Sequence, residues 1–130
     1  MRLARRQLVI LTAHALVGWA LCGAIIAVGF AVTTERAALI AHAAGAPIVF
    51  ALVTAVYYRY FGFTTPLQTA ACCLSTVMAM DFFVVSLLIN GDLRMFASVL
   101  GTWLPFALLF AASYLVGLLF TSRGPTRAAA

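Results

Sequence analysis

The chain has 130 residues, 65% of them hydrophobic and 8% charged, with a mean hydropathy of +1.12. Globular domains carry about 25% charged residues, so a water-soluble core-and-surface design is excluded. The net charge of +5 comes from arginines alone among the basic residues, and Arg2, Arg5, Arg6, Arg36, Arg59, Arg94, Arg123 and Arg127 fall at helix ends and tails. That scatter argues against a nucleic-acid surface and for membrane anchoring.

Four long apolar runs fill almost the whole sequence. A run of about 20 apolar residues matches the roughly 30 Å hydrocarbon layer of a bilayer. The prediction is an all-α integral membrane bundle of four transmembrane helices in antiparallel up-down order, a single domain over residues 1–130. Residues 1–7 form a basic N-terminal segment, and the first helix covers about 8–32. This run is too long for the 7–15 residues of a signal-peptide core, so a retained helix is expected. Thr33-Thr34-Glu35-Arg36 makes a polar turn in which Thr34 is placed to cap the second helix, about 37–58. An aromatic loop from Arg59 to Thr65 follows; Thr65 then serves as N-cap, with Pro66 in the first turn of the third helix, about 66–89. Asn90-Gly91-Asp92 breaks that helix. The fourth covers about 95–120, and 121–130 is a polar tail. Short loops and the lack of alternating patterns leave no room for a barrel, so helices are the spanning structure.

With four crossings, Arg2, Arg5, Arg6, Arg59, Arg123 and Arg127 gather on one side and Arg36 and Arg94 on the other. The positive-inside rule then puts both termini in the cytoplasm of a bacterial-type inner membrane. Tyr57, Tyr58 and Tyr60 are expected to form an aromatic belt at that cytoplasmic face.

Ionisable residues inside a span are costly and therefore informative. Asp81 lies about eight residues from the outer end of the third helix, roughly 12 Å deep at the helical rise. A carboxylate there costs at least about 2.5 kcal/mol and must face protein or water. His42 falls within about 5 Å of the same depth on the second helix. The two are expected to form a polar pair, either a proton-sensitive site or a structural clasp between helices. The fourth helix adds to this layer. Pro105 cannot donate to the Gly101 carbonyl, and Pro47 cannot donate to that of Ala43, so each helix is expected to kink there or simply bend for packing. Ser98 and Thr102, four residues apart, share a face. The outer half is thus expected to hold a polar pocket of His42, Asp81, Ser98, Thr102 and the Gly101 carbonyl, with Trp103 at its rim. Arg94 is either an interfacial anchor or a partner reaching for Asp81.

The inner half offers His14, Cys72 and Cys73 as secondary candidates. Adjacent cysteines point about 100° apart on a helix and chelate poorly, so no metal site is expected. No C-x-x-C pair is present, and the three cysteines fall inside apolar runs. A haem bridged by His14 and His42 is excluded by an axial separation of more than about 10 Å; no cofactor is expected. Gln68, Cys72, Ser75 and Ser86 fall on one face of the third helix at about 100° per residue, opposite Asp81. Small residues also mark the second and fourth helices. Together they predict a homo-oligomer or contact with another membrane subunit within the bilayer. No nucleophile and base stand at a usable spacing, so the chain is not expected to be an enzyme. The leading expectation is a small transporter or channel for a solute or ion, with His42 and Asp81 as its site; the alternative is an accessory subunit of a larger membrane complex.

Overall fold

The computed structural model describes residues 4–122; Arg2, Arg123 and Arg127, with parts of the expected terminal segments, lie outside the described residues. The described residues are helical, with no strand among them. Helix α1 is Arg5–Val32, α2 is Glu35–Tyr60, α3 is Pro66–Met80 and α4 is Leu104–Thr121. Four stretches are long and apolar enough to cross a membrane: Arg5–Val32, Glu35–Tyr60, Pro66–Asn90 and Val99–Thr121.

The ends follow local chemistry. Thr34 accepts from the Ala37 N–H at 3.2 Å and so caps α2. Thr65 and Gln68 form a reciprocal capping box at the start of α3, each side chain taking the other's backbone N–H at 3.3 and 3.0 Å. The Gln68 side-chain oxygen is thereby engaged at the start of its own helix.

The third and fourth spans depart from regular α-helices. From Asp81 to Asn90 the third span is wound as a π-helix, closed by Gly91 in the left-handed conformation at φ 74°. A separate 3₁₀ turn covers Arg94–Ala97, Ser98 is extended, and a second π segment, Val99–Trp103, leads into α4. The expected continuous helix from residue 95 is therefore corrected: the chain breaks at Ser98, whose side chain caps the new start by accepting from the Gly101 N–H at 2.9 Å. Pro105 follows directly on the π segment and lies inside the helical stretch Val99–Thr121, where the winding changes from π to α. Pro47 lies inside an uninterrupted α2.

Small residues let the helices close on one another. A Cβ on Gly29 would meet Ala38 Cβ at 2.8 Å, and one on Gly117 would meet the backbone of Pro66 at 2.9 Å. This is how apolar helices associate where burial of hydrocarbon supplies little drive. Large apolar side chains point outward instead, among them Val9, Leu52, Leu88 and Val99.

Candidate functional site

A cavity of about 400 Å³ runs into the bundle from the end that carries residues 33–34 and 91–98. Its deepest lining residues are Trp19, Phe50, Val77 and Leu109, each close to the middle of its span. The cavity is therefore blind and takes up one half of the bundle. Glu35, Asn90, Asp92 and Arg94 surround its mouth.

Asp81 is the first residue of the π segment and faces this space. Its Oδ1 accepts a hydrogen bond from the Trp19 indole N–H at 2.8 Å. An indole at mid-span needs an acceptor and a carboxylate there needs a donor, so each satisfies the other. His42 lines the same cavity, but no hydrogen bond or ion pair joins it to Asp81; its Nδ1 is buried and lacks any partner in the protein. The structure thus brings the imidazole and the acid to one cavity but gives the acid to Trp19. Trp19 was not among the residues singled out from sequence. The signal was present, since its indole stands mid-way along the first apolar run and needs an acceptor.

Ser98, Gly101 and Thr102 also line the cavity. Thr102 is fully buried and donates its hydroxyl proton to the Met95 carbonyl, bridging the 3₁₀ turn and the π segment. Its donor is thus committed, whereas Ser98 Oγ serves as acceptor for the Gly101 N–H. Gly101 is held to its small size by close neighbours, since a Cβ would meet Ser98 Oγ at 2.9 Å and Leu39 Cδ2 at 3.2 Å. Trp103 lies outside the lining: it is 46% exposed, donates its indole N–H to the Phe96 carbonyl at 2.7 Å and packs edge-on against Phe106. The π winding turns it away from the position that an α-helical spacing assigns. Arg94 pairs with Asp92 at 3.7 Å and is 92% exposed, so it anchors at the mouth and does not reach Asp81.

The opposite half holds the secondary candidates. His14 Nδ1 is 2.8 Å from the Ile10 carbonyl of its own helix, and its ring meets Tyr57 and Phe61 edge-on. Cys72 Sγ lies 3.9 Å from Thr12 Oγ1, and Cys73 is buried in the core. No three potential metal-binding side chains come together among the described residues. Tyr57 and Tyr58, expected in an aromatic belt, are buried; Tyr60 is exposed. Their hydroxyls instead enter a closed network. Tyr57 bonds Thr64 at 2.9 Å, Tyr58 bonds Thr69 at 2.6 Å, and Thr64 bonds Thr69 at 2.6 Å. Thr54 donates to Ser113 at 3.2 Å one layer further in. Ser86, assigned from sequence to the face opposite Asp81 with Gln68, Cys72 and Ser75, is fully buried with its hydroxyl unpartnered, whereas Ser75 is exposed. The reason is again the π winding, which closes i→i+5 and invalidates a 100° spacing beyond Asp81.

Comparison with protein-family models, with curated proteins and with solved structures finds no match for this chain.

Proposed function

We propose that this protein is a small multi-pass transporter, with its spans in alternating direction and both termini in the cytoplasm of an inner membrane. A small solute or ion enters the cavity and meets a proton-sensitive site formed by Asp81 and His42. The observation that carries this reading is the blind half-bundle cavity with an acid and an unpartnered imidazole in its wall. Intramembrane ionisable groups are retained at a cost and tend to mark ion and substrate paths. A cavity closed at mid-depth fits binding followed by a change of access better than it fits a continuous pore. In that scheme the Tyr57–Tyr58–Thr64–Thr69 network is the gate that must part for release at the other side.

The test is flux into liposomes across a series of pH values, with wild type and Asp81→Asn compared at equal insertion. Asparagine keeps an acceptor for Trp19, so the variant is expected to fold. Solute or proton flux is expected to fall at least tenfold and to lose its pH dependence. Wild-type flux and pH profile in a well-inserted Asp81→Asn protein would remove Asp81 from the mechanism.

A further inference from the structure

The whole chain contains three acidic residues, and all three, Glu35, Asp81 and Asp92, line the cavity. Among the described residues Arg94 is the only arginine that lines it, and it is already paired with Asp92. Arg36, next to Glu35, is exposed and outside the lining. A protein with net charge +5 therefore surrounds one cavity with net negative charge. Low-dielectric walls focus such a field and concentrate counter-ions of the opposite sign.

The deepest acid has no charged partner of its own. Asp81 is bonded to the neutral indole of Trp19, and no basic side chain of the described residues contacts it. A guest cation would supply the opposite charge that this carboxylate otherwise lacks at membrane depth. The rest of the wall is largely apolar and aromatic, with Phe50, Phe106 and Trp19 around the carboxylate level. Aromatic faces attract cations that carry little hydration. A bare divalent metal ion is poorly served here, since no three potential ligands converge among the described residues. The volume of about 400 Å³ lies in the range of sites for small organic molecules, about 300–1,000 Å³.

We propose that the cavity binds a monovalent organic cation, an alkyl or aryl ammonium, with its charge at Asp81 and its apolar body against the aromatic wall. Glu35 and Asp92 attract it at the mouth. This deepens the transport reading by naming its substrate class, and rests on the cavity being a binding site.

Trp19 reports the test directly. In the full-length Trp103→Phe protein in nanodiscs, the remaining tryptophan lines the cavity. Its emission is titrated with benzyltrimethylammonium, with the anion phenylmethanesulfonate and with neutral benzyl methyl sulfone, three probes of similar size. The expected result is a saturable change with the ammonium and none with the other two. Asp81→Asn is expected to weaken ammonium binding at least tenfold, and Glu35→Gln with Asp92→Asn severalfold. Should Asp81→Asn fail to insert, the mouth variants decide alone. Equal saturation by the sulfone or the sulfonate, or unaltered ammonium affinity in the acid variants, would overturn cation selection while leaving the cavity a binding site. No saturable response to any of the three would overturn both.

Discussion

On α2, His42 and Tyr57 lie about four helical turns apart and are treated in opposite ways. Tyr57 is fully buried, its hydroxyl bonded to Thr64 and accepting from the Phe63 N–H at 3.1 Å. His42 faces a cavity, with Nδ1 buried and unpartnered. The contrast extends to the two halves of the bundle. Around Tyr57 the helices are regular and hydroxyls bond to one another. Around His42 two spans widen into π segments, the fourth span is broken at Ser98, and an acid is held by an indole. π winding occurs mostly in short pieces and often at functional sites. One half is built for stability, and the other keeps polar groups available at a cost in stability.

Three substitutions sharpen this division, in order of decreasing effect. Phe50 is fully buried and forms part of the cavity floor between the halves. Phe50→Ala removes that partition and is expected to cost about 3–5 kcal/mol, as for other large-to-small core changes. Reversible unfolding in mixed detergent measures it; a loss below about 1 kcal/mol would mean that the ring does not couple the halves. In the closed half, Thr69→Val keeps the shape but strips the hub that bonds Tyr58 and Thr64. It leaves buried hydroxyls short of partners and is expected to cost about 1–3 kcal/mol in the same assay. In the open half, Ser86→Ala removes a buried hydroxyl that has no partner, and is expected to be neutral or to stabilise by up to about 1 kcal/mol. A destabilisation by Ser86→Ala as large as that of Thr69→Val would erase the distinction between the two halves.

Four apolar runs, their turns and their caps could be read from the chain, because hydrophobic length and capping chemistry are local properties. Thr34, Thr65 and Pro66 act at the helix starts expected of them. The similar depth of Asp81 and His42 could also be counted along the chain, since a constant rise per residue converts sequence position into height in a bilayer; that both face one cavity is a matter of packing.

Direction around the helix axis was another matter. Helix-wheel spacing assumes α geometry, and beyond Asp81 and between Val99 and Trp103 that geometry does not hold. So Trp103 turned out of the lining, Ser86 turned into the core, and Thr102 spent its proton on Met95. The partner of Asp81 and the closed tyrosine–threonine network also belong to tertiary structure. A hydrogen bond between residues 19 and 81 depends on how α1 meets the third span, and no local preference specifies that. Sequence determined which groups lie at each depth, since that is counted along the axis; only packing decided which of them face each other, since that depends on winding and on the neighbouring helix.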